Sequence, residues 1–336
     1  MEVIKLDRIP QKILVIKPSS LGDIVHSLPF LNTLRESFPR SEIHWVVARG
    51  LEGLLEGHPM INKLWIINKD EWKKIRKVKG TIKEIRALFS LLKREKFDLV
   101  VDLQGLMRSS ILAAATGASL RIGFKEAREG SRMFYTHRVT GGRDIHAVDR
   151  YLKIAEFLGC DISEVQFPFP LFELSTFKLQ LPEEYAVIVP GARWKTKRWP
   201  PERFGELASM LPLRFFVAGS KSDMDIADRV VKNSKGNAVS MAGKTSIKEL
   251  IELMRRARVV VSNDSGPMHV AAAFHVPVFA IFGPTNPLRT GPYGSGHFII
   301  RKELECLPCY KKNCRSVRCM DMIDVSMVAD IIKMNW

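Results

Sequence analysis

Short apolar runs alternate with amphipathic helical stretches along most of this chain, and this alternation constrains the fold more than any other feature. The runs are short and rich in β-branched residues, as expected for strands of a parallel sheet that is buried on both faces. The pattern restarts near residue 185, which indicates two α/β domains. The predicted strands cover residues 12–16, 43–47, 64–67 and 99–103, and then 185–189, 214–217, 259–261 and 277–282.

The proline-rich segment at 166–170 is the best candidate for a linker. We therefore predict an N-terminal domain over residues 1–168 and a C-terminal domain over 169–336, with the loops after the strands facing each other across a cleft. The last helix is a candidate to pack back on the N-terminal domain. No apolar run reaches the ~18 residues that a membrane-spanning helix needs. Because the N-terminus also lacks the plan of a signal peptide, we expect a cytoplasmic protein.

The segment Val261-Ser262-Asn263-Asp264-Ser265-Gly266-Pro267-Met268-His269 predicts a strand that runs through a tight turn into a helix. Asp264 or Ser265 can cap this helix, and Pro267 suits its first turn. Gly266 permits close approach of a ligand to the backbone. A helix N-terminus offers N–H groups to a diphosphate, although an ordinary capped helix would have the same pattern.

The net charge of +16 is unusual for a chain of 336 residues. Basic residues are densest between Lys69 and Lys96, where 11 of them accompany 4 acidic residues. Such a field favours an anionic partner, which can be a nucleic acid, an acidic membrane surface or a phosphorylated or carboxylated substrate. A solvated basic helix face explains the charge equally well.

Two common nucleotide-binding signatures are missing from the sequence. No Gly-x-Gly-x-x-Gly occurs, which argues against an ordinary dinucleotide-dependent dehydrogenase. Gly243-Lys244-Thr245 lacks the first glycine of a phosphate-binding P-loop, because Ala238 stands in that position. Asp223-Met224-Asp225 is better interpreted as a helix start than as a metal site.

Four of the five cysteines cluster near the C-terminus as Cys306-x2-Cys309-x4-Cys314-x4-Cys319. Cys-x2-Cys is a common half-site for zinc, but the other two spacings do not repeat it. A metal site, a reduced structural cluster and a disulfide pair all fit this pattern. The expected cytoplasmic location argues against stable disulfides.

Several further motifs stand out along the chain: Ile16-Lys17-Pro18-Ser19-Ser20-Leu21-Gly22-Asp23, Asp102-Leu103-Gln104-Gly105-Leu106-Met107-Arg108-Ser109, Ile122-Gly123-Phe124, Ala127-Arg128-Glu129, His146-Ala147-Val148-Asp149-Arg150 and Lys197-Arg198-Trp199-Pro200. Together with Asn263 to His269 they resemble the ADP-heptose:lipopolysaccharide heptosyltransferases of glycosyltransferase family 9. In the first half they are most similar to heptosyltransferase I, whereas the cysteine-rich tail resembles heptosyltransferase II.

The resemblance implies a GT-B fold, in which two Rossmann-like domains bind the acceptor and the nucleotide sugar respectively. It implies an inverting, metal-independent transfer of heptose from ADP-heptose, with no further cofactor. The implied acceptor is Kdo-lipid A or a heptosylated core. The implied setting is the anionic inner face of the inner membrane, where a peripheral protein binds; we expect a monomer and no nucleic-acid partner.

In an inverting transfer a carboxylate takes the proton of the acceptor hydroxyl, and Asp23 is the candidate base. Capping of a helix is its alternative role. The negative charge of the departing nucleotide requires cations or N–H donors, among which Lys197 is the first candidate. The resemblance implies two binding sets: donor-binding Ser20, Gly22, Arg193, Lys197, Asp264, Ser265, Gly266 and His269, and acceptor-binding Lys73, Lys74, Lys77, Gln104 and Arg128.

Some assignments stay open at this stage. His269 either contacts the donor phosphates or packs inside its helix. The resemblance implies an acidic residue directly after strand 214–217, but Lys221 occupies that neighbourhood. Asp223 is the nearest acidic candidate. Other functions with the same architecture are transfer of a different nucleotide sugar, transfer to a different acceptor, and epimerisation of a nucleotide sugar. A basic nucleic-acid-binding protein is disfavoured because no recognition motif accompanies the charge.

Overall fold

The computed structural model describes residues 3–68, 78–170 and 181–335, with the side chains of residues 78–82 excepted. The chain divides into two compact units, Met1–Leu171 and Phe172–Trp336. This division lies three residues beyond the predicted boundary after Pro168. The predicted cleft and the predicted return of the last helix concern how the units meet, and they stay predictions.

The first unit is built on a six-stranded parallel sheet with the order β3-β2-β1-β4-β5-β6. Its strands are β1 Lys12–Ile16, β2 Glu42–Ala48, β3 Lys63–Ile67, β4 Leu99–Asp102, β5 Leu120–Phe124 and β6 His137–Val139. Its helices are α1 Leu21–His26, α2 Leu28–Ser37, α3 Val78–Arg94, α4 Met107–Ala115 and α5 Ala147–Phe157.

The second unit repeats the arrangement with the order β12-β11-β10-β7-β8-β9. Its strands are β7 Tyr185–Val189, β8 Arg214–Val217, β9 Ala238–Ser240, β10 Val259–Asn263, β11 Val278–Ile281 and β12 Phe298–Ile300. Its helices are α6 Pro201–Met210, α7 Met224–Asn233, α8 Ile247–Arg255, α9 Gly266–Ala273, α10 Pro287–Thr290, α11 Arg318–Asp321 and α12 Val325–Met334.

The central strands of both sheets are buried along almost their whole length, which explains their continuous apolar sequence. In the first sheet Ile16 pairs with Val46 on β2 and with Asp102 on β4. In the second sheet Ser262 pairs with Val189 on β7 and with Ala280 on β11. The loops that follow these strands therefore gather at the carboxyl edge of each sheet, where ligands bind in open α/β folds.

The helical segment after β1 is divided at Ser27 into α1 and α2, because Pro29 has no N–H to continue the ladder of α1. Strands β5, β6, β9 and β12 were not predicted as strands; three of them have only three residues.

The last helix, α12, buries Val328, Ala329 and Ile332 in the hydrophobic core of the second unit, together with Phe204 of α6. Within the described ranges, no helix combines the length and apolar character that crossing a bilayer requires.

Candidate active site

Asp23 lies in the first turn of α1, directly after the loop that leaves β1. Its Oδ2 accepts hydrogen bonds from the backbone N–H and the hydroxyl of Ser20, at 2.8 and 2.7 Å. The side chain nevertheless keeps 42% of its surface exposed. Asp23 therefore caps the helix start and also presents a carboxylate to solvent. Both roles that the sequence allowed are compatible with this geometry.

Lys17 is the buried neighbour of Asp23, and no local sequence pattern marks it for a role. Its side chain is 3% exposed, and its Nζ lies 3.8 Å from Oδ1 of Asp23. The same Nζ donates to the carbonyl of Leu103 at 3.3 Å and lies 4.9 Å from the ring centroid of Tyr151. Burial lowers the pKa of Lys17, but the charge of Asp23 and the interactions with Tyr151 outweigh burial and raise it overall. The lysine is therefore a fixed positive charge beside the candidate base.

A buried carboxylate at the end of β4 organises the loop next to Asp23. Oδ1 of Asp102 accepts from the backbone N–H groups of Gln104 and Gly105, and Oδ2 accepts from the hydroxyl of Tyr135 at 2.7 Å. Burial raises the pKa of Asp102, although these donors oppose the change. Gly123 makes room for the Tyr135 ring, since a Cβ there would lie 2.3 Å from it.

Two predicted acceptor-binding residues lie on this loop system. The side-chain oxygen of Gln104 accepts from the backbone N–H of Ser19 at 3.3 Å, so Gln104 connects the β4 loop to the loop that carries Asp23. Arg128 is exposed, and its backbone N–H donates to the carbonyl of Gly105 at 2.9 Å. The structure thus brings Gln104, Arg128 and the Asp23 loop to one edge of the first sheet. Lys73, Lys74 and Lys77 lie outside the described residues.

The corresponding edge of the second sheet is organised by Asn263, the last residue of β10. Its side-chain amide donates to the carbonyl of Pro190 at 2.8 Å and accepts from the backbone N–H of Trp199 at 3.1 Å. Both bonds are buried. Asn263 therefore joins the loop after β7 to the turn that carries Lys197.

Lys197 and Asp264, predicted separately as donor-binding residues, form an ion pair of 2.6 Å. Asp264 is 6% exposed and Lys197 is 16% exposed. The hydroxyl of Thr285 donates to Oδ2 of Asp264 at 2.5 Å, and the Lys197 ammonium lies 4.8 Å from the ring centroid of Trp194. Thr285 was missed because it follows a different strand, β11, and no local pattern marks it.

The helix predicted after β10 is α9, with Ser265 as its N-cap residue and Pro267 in its first turn. Neither predicted capping side chain bonds to the helix: Ser265 makes no side-chain cap, and the Asp264 carboxylate turns to Lys197 and Thr285 instead. Gly266 is half-buried at the first position of α9, and His269 is buried one turn further on. The Ser265 side chain therefore does not occupy the N–H groups at the start of α9.

Two further donor-side candidates lie after β7 and β8. Arg193 is exposed in the loop after β7. Asp223 precedes α7, where its carboxylate accepts from the backbone N–H and hydroxyl of Ser220. A Cβ on Gly191 would lie 2.9 Å from this carboxylate, so Asp223 covers the glycine turn after β7. The interpretation of Asp223 as a helix-start residue is confirmed.

The four clustered cysteines are free thiols that line one cavity of about 510 Å³. Burial raises the pKa of the Cys319 thiol, and the neighbouring thiols of Cys309, Cys306 and Cys314 raise it further. Within the described ranges, no three His, Cys, Asp or Glu side chains already have a geometry that could hold a metal ion.

A cavity of about 840 Å³ in the first unit lies away from these residues. It is lined by chain segments that precede β1, β4 and β5, at the amino edge of the sheet. Because ligands of parallel sheets bind at the carboxyl edge, this cavity is not the candidate active site.

The fold with two six-stranded parallel sheets matches solved glycosyltransferase structures of the GT-B fold. A glycosyl transferase family 9 structure from Veillonella parvula matches with a TM-score of 0.80 and 26% identity, covering 97% of both chains. The E. coli heptosyltransferase WaaC with ADP-2-deoxy-2-fluoro heptose matches in fold, with a TM-score of 0.79 and 24% identity over 97% of this chain and 100% of that one.

The sequence comparisons identify the family. The model of glycosyltransferase family 9 (heptosyltransferase) matches residues 85–319. Lipopolysaccharide heptosyltransferase 1 of Pseudomonas aeruginosa is 30% identical over 313 residues, which cover 90% of this chain and 87% of that protein. The chain therefore belongs to glycosyltransferase family 9, and it is a glycosyltransferase.

Proposed function

We propose that this enzyme transfers a heptose from ADP-heptose to the Kdo region of the lipopolysaccharide inner core, with inversion at the anomeric carbon and without a catalytic metal. The observation that carries the proposal is the match to the P. aeruginosa lipopolysaccharide heptosyltransferase 1 over 90% of this chain. The geometry of Asp23, Lys197 and Asp264 supplies groups for each step of such a transfer.

The base of the proposed reaction is Asp23. Its carboxylate takes the proton of the acceptor hydroxyl while the hydroxyl oxygen attacks the anomeric carbon. The bond from that carbon to the ADP oxygen breaks on the opposite face, and ADP leaves with the bonding electrons. Because one displacement occurs, the configuration inverts. Lys17 holds its positive charge 3.8 Å from Asp23, which favours the ionised carboxylate that a base requires.

The leaving diphosphate gains negative charge as the bond breaks. Lys197 and the N–H groups at the start of α9 are the proposed stabilising groups. A lysine ammonium has three donors, so Lys197 can bond to a phosphate oxygen while it keeps its bond to Asp264. Asp264 fixes the position of Lys197 and can accept a hydrogen bond from the donor sugar. Ser265, Gly266, His269, Arg193 and the Ser20–Gly22 turn complete the proposed donor set.

The acceptor side uses Arg128 and Gln104 at the carboxyl edge of the first sheet. Guanidinium groups bind carboxylates with two parallel hydrogen bonds, which suits the carboxylates of Kdo. The exposed position of Arg128 and its backbone bond to Gly105 place it on the same loop system as Asp23. Kdo-lipid A and a core that already carries one heptose are both candidate acceptors.

The basic excess supports binding at the anionic inner face of the inner membrane. Each lysine or arginine near such a surface contributes about 1 kcal/mol of attraction. The exposed basic residues of α3 contribute to this charge, among them Lys83, Arg86, Lys93 and Arg94. Cosedimentation with vesicles that contain anionic lipid should weaken as salt is raised, and salt-independent association would contradict this role.

The deciding experiment is mass spectrometry of the products formed from ADP-heptose and a panel of acceptors, with ADP release measured in parallel. The expected result is one added heptose on Kdo-lipid A or on the heptosylated core, together with ADP. NMR of the new linkage should show an inverted anomeric configuration, and activity should not depend on added Mg²⁺ or Mn²⁺.

Other outcomes would redirect the proposal. Product formation only with UDP-sugars or GDP-sugars would assign a different donor. Release of nucleotide and an epimerised sugar without an acceptor would assign an epimerase.

A further inference from the structure

The segment from Cys306 to Cys319, the cysteine loop, is not explained by sugar transfer. It follows β12 and precedes most of α11, and residues 301–317 form no helix or strand. None of the residues 301–319 is buried. Val317 and Cys319 pack against the core of the second unit, but the rest of this long connection has no regular structure and no core of its own.

The four cysteines of the loop lie around a shared space. Cys306, Cys309, Cys314 and Cys319 all line the cavity of about 510 Å³. The fifth cysteine, Cys160, is buried in the first unit and has no part in this cavity. Four thiols on one cavity, with a Cys-x2-Cys pair among them, match the ligand number and type of a structural tetrathiolate site.

The charges of the loop also favour such a site. Residues 306–319 contain four basic side chains and no acidic one, the basic residues being Lys311, Lys312, Arg315 and Arg318. Four thiolates around a divalent ion carry a net charge of −2. Nearby cations stabilise thiolates and offset this charge. The loop itself therefore contributes only positive charge near the thiols, and the two acidic residues that line the cavity, Glu303 and Glu305, precede it.

We propose that the cysteine loop closes around one divalent zinc or iron ion held by the thiolates of Cys306, Cys309, Cys314 and Cys319. Sulfur ligands in a tetrahedral set select these metals over magnesium or calcium. Binding replaces the thiol protons, so one M²⁺ and four thiols give the tetrathiolate and four released protons. The described side chains are not yet in ligand geometry, and the Cys314 thiol bonds to the carbonyl of Ser316. On metal binding, Cys314 therefore gives up its hydrogen bond to Ser316 for a bond to the metal, and the four sulfur atoms move closer together.

The loop contacts both turns that hold the donor-side ion pair. The carbonyl of Lys311 accepts from the hydroxyl of Thr196, beside Lys197, at 2.8 Å. The backbone N–H of Tyr310 donates to the carbonyl of Pro284, beside Thr285, at 2.9 Å. A bound ion would thus fix the loop against these turns. It is a structural ion in this proposal and takes no part in the transfer; only the consequence for donor binding rests on the proposed function.

The first test is the metal content of the full-length protein, purified under reducing conditions and measured by inductively coupled plasma mass spectrometry. We expect one zinc or iron ion per chain. After removal of the metal, addition of Co²⁺ should give thiolate-to-metal charge-transfer absorption and the visible bands of tetrahedral cobalt, saturating at one equivalent. Zn²⁺ should displace the cobalt and abolish these bands.

Cysteine variants test whether the cobalt binds at the cysteine loop or at any free thiol of the protein. Cys309→Ser and Cys319→Ser should lower Co²⁺ affinity at least ~10-fold, while the matched control Cys160→Ser should leave the spectrum unchanged. The wild-type titration keeps the test valid if a variant fails to fold. A metal-free protein whose thiols give no cobalt spectrum would overturn the proposal, and so would a disulfide among the four cysteines in the purified enzyme. Neither result depends on heptose transfer, so failure here is distinguishable from failure of the proposed function.

Discussion

The two units each place a lysine next to a carboxylate at the carboxyl edge of the sheet, but they bury opposite partners. In the first unit Lys17 is 3% exposed and Asp23 is 42% exposed. In the second unit Asp264 is 6% exposed and Lys197 is 16% exposed. The charged group with more solvent access is thus the carboxylate in one case and the ammonium in the other.

This difference matches the chemistry proposed for each unit. A general base must present its carboxylate to the acceptor hydroxyl, and a buried lysine can hold that carboxylate ionised. A group that stabilises a departing diphosphate must present a cation, and a buried carboxylate can hold that cation in place. In both units the buried partner positions the other residue. The distances also differ: 3.8 Å leaves Asp23 loosely paired, whereas 2.6 Å holds Lys197 firmly.

The largest effect is expected for Asp23→Asn. The amide cannot accept the acceptor proton as a base, so kcat should fall by about 10²–10⁴-fold. The affinity for ADP should stay close to that of the wild type, because Lys197 and α9 are unchanged. Steady-state kinetics and calorimetric titration with ADP measure the two quantities. The exposed surface carboxylate Asp144 provides the control, as Asp144→Asn; a fully active Asp23→Asn enzyme would refute the base assignment.

Lys197→Met tests the other member of the comparison. It removes the cation proposed for the leaving group, and kcat should fall by about 10²–10³-fold. Unlike Asp23→Asn, it should also weaken ADP binding, because the cation contacts the diphosphate before the bond breaks. Lys232→Met on α7 removes an equal charge elsewhere in the second unit. If both lysine variants had the same small effect, the general field of the protein rather than Lys197 would stabilise the leaving group.

The burial pattern also predicts which substitutions destabilise the fold. Removing the more exposed partner leaves a buried charge without its counterion, which costs about 3–5 kcal/mol in the least favourable cases. Lys197→Met should therefore lower the unfolding temperature more than Asp264→Asn does, because it leaves the buried carboxylate with the Thr285 hydroxyl but without its cation. In the first unit the order reverses, and Asp23→Asn should be more destabilising than Lys17→Met. Thermal unfolding of the four variants would show whether burial sets this order.

The sequence was sufficient to predict eight of the parallel strands, because the buried central strands are continuous apolar runs. It did not reveal β6, β9 or β12, each of which has three residues and is too short for any periodicity to show. The candidate residues Asp23, Lys197 and Asp264 were also predictable from the motifs. Their partners were not: Thr285 reaches Asp264 from another strand, and Lys17 looks like an ordinary polar residue at the end of β1. Burial and contacts between distant loops decide these roles, and no local pattern encodes them.

Lys17→Met provides the smallest but most specific test of the comparison. Removing a positive charge 3.8 Å from Asp23 makes protonation of that carboxylate easier. The rate should therefore begin to fall at a higher pH on the acid side, so the acid limb of the kcat profile should move upward. Well above the acid limb the loss should stay within about tenfold, because the carboxylate of Asp23 is itself unchanged. Lys17→Arg keeps the charge and should restore the profile. A uniform loss of rate at every pH, with no movement of the acid limb, would mean that Lys17 only supports the packing of the loop and does not act on the base.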